Sequence, residues 1–185
     1  FAAFSFARLE WLGRDKIFFS YLATMMIPSA VTMIPLFLLL RWLGWIDSYK
    51  AIIIPGMFTA YGTFMLRQFF MGLPRDLEDA AKIDGCNLWE IFWNVTLPLS
   101  KPALATLGIF TFLGNWRSFQ WPLIVLQSSE KMTLPVGLAY FMGEYSTKWN
   151  LMMAGSLMSI IPLVIIFLIG QKFFVKGIQL GGVKG

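Results

Sequence analysis

The stretch LMMAGSLMSIIPLVIIFLIGQKFF, residues 151–174, decides the fold class, because its only charged side chain is Lys172. A bilayer core about 30 Å thick requires roughly 20 mainly apolar residues for each spanning helix. Three other stretches reach that length, at about 17–40, 51–70 and 103–126. The chain is 57% hydrophobic and 14% charged, which is more apolar than an ordinary soluble domain. We therefore predict an all-α, polytopic transmembrane helix bundle.

The whole chain, residues 1–185, is interpreted as one transmembrane domain. Residues 1–7 are apolar, lack an initiating Met and stop at Arg8. A signal peptide would place a basic region before its apolar run. We therefore expect these residues to end an earlier helix, with one or more N-terminal helices missing or truncated.

The basic residues predict the orientation, because loops rich in Lys and Arg stay on the cytoplasmic side. Four lie on one face (Arg41, Lys50, Lys131 and Lys148), Arg117 lies within a span, and ten lie on the other face: Arg8, Arg14, Lys16, Arg67, Arg75, Lys82, Lys101, Lys172, Lys176 and Lys184. The loop 72–100 and the tail 175–185 are thus predicted to be cytoplasmic, and the loop 127–150 external. This topology accounts for the net charge of +5. We therefore expect contact with membrane lipid and no nucleic-acid partner.

The chain lacks the residues that several functions require. The chain has no histidine and a single cysteine, Cys86, which excludes an internal disulfide and clustered His/Cys metal sites. All ten Asp and Glu residues lie outside the predicted spans, which argues against an intramembrane proton relay. No segment fits the phosphate-binding pattern G-x4-G-K-[ST]. We assign no catalytic residue, no metal ligand and no cofactor to this chain.

The cytoplasmic loop predicts two short helices on either side of Gly85. Residues 77–83 are good helix formers, and glycine can adopt the left-handed conformation that ends such a helix. Asn87 with Glu90 three residues later resembles a capping box, and Pro98 marks the end of the second helix.

The second helix is predicted to carry aromatic side chains on both faces. One face is an apolar stripe at i, i+3, i+4 and i+7, and the other holds Trp89, Glu90, Trp93 and Asn94; the stripe consists of Leu88, Ile91, Phe92 and Val95. The bundle cannot bury both faces, so one meets a partner or the lipid headgroups. Amphipathicity alone favours neither alternative.

The same loop resembles the EAA motif of ATP-binding-cassette importer permeases, E-A-A-x3-G-x9-I-x-L-P. Here Asp79-Ala80-Ala81, Gly85, Val95 and Leu97-Pro98 stand at the matching spacing. Asp79 replaces Glu and Val95 replaces Ile. Asp79 is shorter than Glu, and Glu78 could supply the carboxylate instead. The run from Leu97 and the closing residues 174–185 resemble the carbohydrate branch, the maltose-permease-G-like subunits, and the resemblance covers essentially the whole chain.

The resemblance implies a type I importer permease fold in a bacterial or archaeal cytoplasmic membrane. It implies three partners: a homologous second permease, an ABC ATPase dimer that binds ATP and Mg, and an extracytoplasmic solute-binding protein. The permease itself would be no enzyme; it would move a carbohydrate by alternating access. Residues expected to couple to the ATPase are Glu78, Asp79, Ala80, Ala81, Asp84, Gly85, Leu88, Trp89, Ile91, Phe92, Val95, Leu97 and Pro98.

Two further sets are candidates for contact with solute and binding protein. Arg117 is the one charge in the third span and should face the bundle interior or a watery cavity, with Gln120 and Trp121 on the same helical face; the proposed substrate path is Asn115, Trp116, Arg117, Gln120 and Trp121. The alternative is that Arg117 binds helix carbonyls near Pro122. On the external loop, the binding-protein contacts are predicted to be Ser128, Ser129, Glu130 and Lys131.

An alternative from another class stays open. A helical scaffold or sensor subunit could bind a cytoplasmic partner through the same loop and transport nothing. The two hypotheses differ over whether solute crosses the membrane.

Overall fold

The structure is a computed structural model that describes residues 1–142 and 147–182, with side chains up to Gln171. The named secondary-structure elements in these residues are all helices. The helices are α1 Ala2–Arg8, α2 Arg14–Ala23, α3 Ser29–Trp42, α4 Lys50–Gly56, α5 Ala60–Met71, α6 Asp76–Ile83, α7 Leu88–Ile91, α8 Leu97–Leu99, α9 Lys101–Trp116, α10 Gln120–Val125, α11 Leu134–Ala139 and α12 Trp149–Gly182. The predicted all-α class is confirmed.

The longest apolar helix is α12, which contains the whole stretch 151–174. Its segment Trp149–Gln171 has 23 residues and a mean hydropathy of 2.5, enough to cross a bilayer. Two bent helix pairs, one from Arg14 to Trp42 and one from Leu88 to Trp116, raise the number of candidate spans to three by length and composition. The four predicted spans stay a prediction.

Three of the predicted spans contain a break in the helix. The stretch 17–40 is divided between α2 and α3, 51–70 between α4 and α5, and 103–126 between α9 and α10. At the first break Pro28 stands directly before α3. Proline restricts the residue before it to extended conformations and donates no backbone hydrogen bond, so a helix tends to stop there.

The chain forms two compact units. The first comprises Phe1–Met26, Thr59–Ile109 and Gly170–Gly185, and the second Ile27–Phe58 and Phe110–Ile169. Each has its own apolar cluster. In the first unit the cluster consists of Ala3, Phe4, Ala7, Phe70 and Phe92. In the second unit it consists of Leu40, Ala51, Val125 and Leu126.

Many large apolar side chains point outward, as lipid-facing helices require. On α12, for example, Leu157 is 67% exposed and Met158 is 66% exposed. No part of the most apolar 18-residue window of α12 is buried by the described residues. A water-soluble surface rarely carries such a continuous apolar patch, so the outward faces are suited to lipid or to other subunits.

Candidate functional site

The first helix of the predicted cytoplasmic loop, α6, is stabilised at both ends. Its first turn carries Asp76, Glu78 and Asp79, and its last turn carries Lys82, so the side-chain charges complement the helix dipole. After the helix Gly85 has φ +84°, which confirms the predicted left-handed turn. The amide of Cys86 donates to the carbonyl of Ala81 over 2.9 Å, which closes a Schellman motif.

The predicted capping box of the second helix is confirmed. The side-chain oxygen of Asn87 accepts from the amides of Trp89 and Glu90, each over 3.0 Å. The Glu90 carboxylate in turn accepts from the Asn87 amide over 2.7 Å. Gly85 and this box together fix where α6 ends and where α7 begins.

The apolar stripe of the second helix differs from the prediction. Ile91 and Phe92 are buried, Val95 is half-buried, and Leu88 is 50% exposed. A π-helical turn, Phe92–Thr96, follows α7 and adds a residue, which changes the direction of the side chains after Ile91. The extra residue brings Thr96, fully buried, beneath Ile91 in the direction where a regular helix would place Val95. Leu88 lies before this turn, so the turn does not account for its exposure, and its predicted contact with the ATPase stays a prediction.

The buried face of this helix packs on α1 and α5. Phe92 has its ring centroid 5.2 Å from that of Phe4 and 4.6 Å from that of Phe1. Phe4 also contacts Phe70 at 6.4 Å. Beside these rings lies an apolar cleft of about 270 Å³, lined by Phe1, Phe4, Ser5, Leu9, Leu88, Trp89 and Phe92. The second loop helix is thus held to the bundle by aromatic contacts.

The two neighbouring carboxylates of α6 have different partners. Glu78 is buried, and its Oε1 lies 2.9 Å from Nε of Arg8, in the geometry of an ion pair rather than a directed hydrogen bond. Asp79 is exposed and accepts a 2.8 Å hydrogen bond from Lys82. That hydrogen bond and the Lys82 charge hold the pKa of Asp79 below its usual value. Of the pair, Glu78 is bonded inside the subunit, and Asp79 faces outward.

The outward face of the loop carries large apolar side chains. Exposure is 86% for Ile83, 64% for Trp89 and 53% for Trp93, and Leu77 and Leu88 are about half exposed. On a loop of this size such side chains indicate a contact surface.

The sequence predicted that Arg117, Gln120 and Trp121 share one helical face. The structure shows a break in the helix instead. Helix α9 ends at Trp116, and α10 begins only at Gln120, so Arg117 lies in the break. Arg117 and Gln120 are exposed, whereas the indole of Trp121 donates to the carbonyl of Ala51 over 3.0 Å. The assumption of a continuous helix was therefore wrong, and Trp121 is used to pack α10 on α4.

The two remaining path residues also have internal partners. The side-chain amide of Asn115 donates to Thr111 O over 2.9 Å. The indole of Trp116 donates to Ser159 O over 3.0 Å and stacks on Phe112. The side chains of Arg117 and Gln120 are exposed and take no part in the hydrogen bonds formed by the other three path residues.

On the predicted external side, Asp47 organises the segment after α10, a role that the sequence reasoning missed. Its carboxylate accepts from the amides of Gln127 and Ser128, each over 2.9 Å, and from the Ser128 hydroxyl. Lys131 donates to the same carboxylate over 2.9 Å and to the Asp47 carbonyl over 2.7 Å. The Ser128 hydroxyl and the other three donors hold the pKa of Asp47 well below its usual range.

Two of the four predicted binding-protein contacts, Ser128 and Lys131, are therefore bonded to Asp47. Ser129 and Glu130, in the short 3₁₀ turn Ser129–Lys131, form the tip of the loop. Asp47 has φ +57°, uncommon for a residue with a side chain. The sequence shows that Asp47 lies in a short loop near Gly44. It does not show the partners of Asp47, which lie about 80 residues further along the chain.

Parts of two predicted segments lie outside the described residues. These are residues 143–146 of the external loop and residues 183–185 of the tail, together with the side chains of 172–182. The predicted tail 175–185 thus begins within α12, whose backbone is helical to Gly182.

Comparison with known proteins identifies the class. Residues 1–180 match the family described as binding-protein-dependent transport system inner membrane component. The chain belongs to this family, and the recognition of an ABC importer permease from the sequence is confirmed.

Individual relatives agree with this membership. The arabinooligosaccharides transport system permease protein AraQ of Halalkalibacterium halodurans is 41% identical over 182 residues, which are 98% of this chain and 65% of AraQ. AraQ of Bacillus subtilis is 43% identical, with the same two coverages. Among solved structures, a bacterial ABC transporter involved in the import of the acidic polysaccharide alginate matches with a TM-score of 0.82 and 30% identity, over 93% of this chain and 66% of that one. The chain spans about two thirds of the length of these relatives.

Proposed function

We propose that this chain belongs to the translocation subunit of an ATP-driven, binding-protein-dependent carbohydrate importer, and that α6 to α8 receive the movement of a separate ATPase. The observation that carries the proposal is the two-sided cytoplasmic loop. Its inner face buries Ile91 and packs on α1 and α5 through Phe92, while its outer face exposes Trp89 and Trp93. Family membership supports the same assignment.

The outer face would dock into the ATPase. Bulky exposed side chains such as Leu88, Trp89 and Trp93 suit an apolar cleft. In the described part of the chain, the exposed carboxylate of Asp79 on α6 is paired with the exposed Lys82, so a basic group of the ATPase could take over that ion pair. The inner face would then pass the displacement to the bundle.

We propose carbohydrate as the solute because two relatives are described as arabinooligosaccharides transport system permeases and a similar solved structure is described as a transporter involved in the import of alginate. Arg117 and Gln120 would offer hydrogen-bond donors to hydroxyl or carboxylate groups from a break between two helices. Irregular backbone within a span is tolerated where it lines a cavity. On the external side Ser129 and Glu130 would meet the solute-binding protein.

The test uses the full-length protein, purified with its co-expressed partners and reconstituted in liposomes. Labelled arabinan and alginate oligosaccharides are offered from the binding-protein side. We expect uptake only when ATP and the binding protein are both present. ATP hydrolysis and partner docking without uptake of any oligosaccharide would favour the scaffold alternative.

The coupling role of the loop is tested by Gly85→Val. Gly85 has φ +84° with open space around its Cα, so a side chain strains the backbone without a clash. We expect ATP hydrolysis to continue while uptake falls by about tenfold. Gly44→Val is the matched control, because Gly44 has φ +69° and open space but lies on the predicted external side. Equal uptake per ATP in both variants would contradict the coupling role.

A further inference from the structure

The end of α1 makes a buried polar contact with the cytoplasmic loop. The side chain of Arg8, the last residue of α1, is 3% exposed, and that of Glu78 is 11% exposed. Their Nε and Oε1 atoms are 2.9 Å apart. Nη2 of the same guanidinium donates to the carbonyl of Leu73 over 2.7 Å. Arg8 thus holds α6 and the connection that precedes it.

The second loop helix is fastened to the same part of α1 by different contacts. Phe4, one turn before Arg8, packs edge to face on Phe92 at 5.2 Å and on Phe70 at 6.4 Å. Both halves of the loop are therefore anchored on α1, the first by charge and the second by aromatic rings. All of these residues belong to one compact unit.

The two anchors have different mechanical properties. Aromatic rings can slide over one another with little loss of contact energy, because their dispersion contacts are numerous and individually weak. A buried ion pair tolerates little displacement, since separating its charges leaves both without solvent. The other ion pairs near the loop differ, because the carboxylates of Arg14–Asp15 and Lys82–Asp79 are more than half exposed. Water screens such pairs, so they transmit little force.

We propose that Arg8 is a positioning residue for energy coupling: through Glu78 and the Leu73 carbonyl it makes α6 and α1 move together when an ATPase displaces the loop. This inference rests on the proposed function. Without the link, the loop would move and α1 would stay behind. Glu78, rather than Asp79 at the first position of the motif, is then the inward-acting carboxylate of the loop.

The decisive variant replaces the pair with apolar residues, Arg8→Met together with Glu78→Leu. Apolar replacement of a buried ion pair is often neutral for stability, so this protein should insert and assemble with its partners. We expect ATP hydrolysis to persist and uptake per ATP to fall by about tenfold. The single variant Arg8→Lys keeps the charge opposite Glu78 and should retain most of the coupling.

The matched control is Arg14→Ala, which removes an ion pair at the start of α2 whose carboxylate, that of Asp15, is 57% exposed. It should leave uptake per ATP unchanged. If the apolar pair variant assembles and transports with the ratio of the wild-type protein, the ion pair has only a structural role and the proposal is overturned.

A second readout does not depend on transport. Cys86 is half-buried directly after α6, and its amide is bonded to Ala81. In membranes containing the full-length permease, we expect the apolar pair variant to react with a maleimide at Cys86 several times faster than Arg14→Ala, as measured by peptide mass spectrometry. Equal rates would overturn the link even if the wild-type protein transports. Absence of ATP-dependent uptake by the wild-type protein, with a clear difference in labelling, would instead contradict the proposed function alone.

Discussion

Single residues set the geometry of both candidate contact surfaces. On the predicted external side one carboxylate, Asp47, binds two backbone amides, a hydroxyl and an ammonium group. On the predicted cytoplasmic side one glycine, Gly85, ends a helix in a conformation that other residues adopt at a cost. The direction of the chain therefore depends on one carboxylate at Asp47 and on the absence of a side chain at Gly85.

For Asp47 we expect the segment around Lys131 to loosen when the carboxylate is removed. Trypsin should cleave after Lys131 faster in Asp47→Ala than in wild type, with Asp47→Asn between them. Asparagine tolerates the positive φ and keeps one acceptor but loses the charge opposite Lys131. Cleavage after Lys148 serves as the internal control. Equal cleavage after Lys131 in all three proteins would contradict the role of Asp47.

The same carboxylate predicts a pH dependence. Because the folded state lowers the pKa of Asp47, its stabilising contribution is present above the unfolded value of about 3.9 and is lost as the pH falls through the folded value. We therefore expect the difference in trypsin cleavage between wild type and Asp47→Asn to stay constant from pH 6 to 8. A difference that disappears within this range would show that another group titrates there.

At Gly85 we predict a modest local destabilisation by alanine. The left-handed conformation costs a residue with a Cβ about 1–2 kcal/mol, and the space around Gly85 excludes a clash. In Gly85→Ala the amide of Cys86, bonded to Ala81, should exchange with deuterium roughly tenfold faster. Gly85→Asn should exchange more slowly than the alanine variant, since asparagine visits this region more readily. Identical exchange in wild type and Gly85→Ala would be inconsistent with this strain.

At the scale of elements, the second loop helix combines a strong start with an irregular middle. Its capping box fixes the first turn, and the π-helical turn Phe92–Thr96 then changes which side chains face the bundle. The residues that begin the helix could be identified from spacing. The burial of Thr96 could not, because a regular period of 3.6 residues does not contain the extra residue of a π turn.

Loss of the cap should weaken this helix at its first turn. Asn87→Ala removes the acceptor for the Trp89 and Glu90 amides, which costs about 1 kcal/mol. We expect about fivefold faster deuterium exchange of these two amides. Asn87→Ser keeps a capping oxygen and should exchange nearly as slowly as wild type. Unchanged exchange in Asn87→Ala would mean that packing of Ile91 and Phe92 alone holds the first turn.

At the scale of the whole molecule, the distribution of basic residues predicts the side on which each loop lies. Cys86, as the single cysteine of this chain, reports on that prediction. A membrane-impermeant maleimide should label Cys86 in inside-out vesicles and leave it unlabelled in right-side-out vesicles, with peptide mass spectrometry to identify the site. The opposite result would reverse the topology. The proposed cytoplasmic docking of an ATPase would then fail as well.

The sequence by itself determined the helical class, the family, the end of α6 and the start of α7. Apolar runs long enough for a bilayer, a spacing of small motif residues, and cap residues such as Gly85 and Asn87 act over a few positions, so they can be found without the fold. These features hold in the structure or in the family comparison.

Only the tertiary structure decided how the charged and aromatic side chains are used. Arg8 and Glu78 are 70 residues apart in sequence, and Asp47 and Lys131 are 84 apart. Either carboxylate of the Glu78–Asp79 pair could have been the inward one, and the choice depends on which of them α1 covers. Pairing across such distances is fixed by helix packing, which local patterns do not encode.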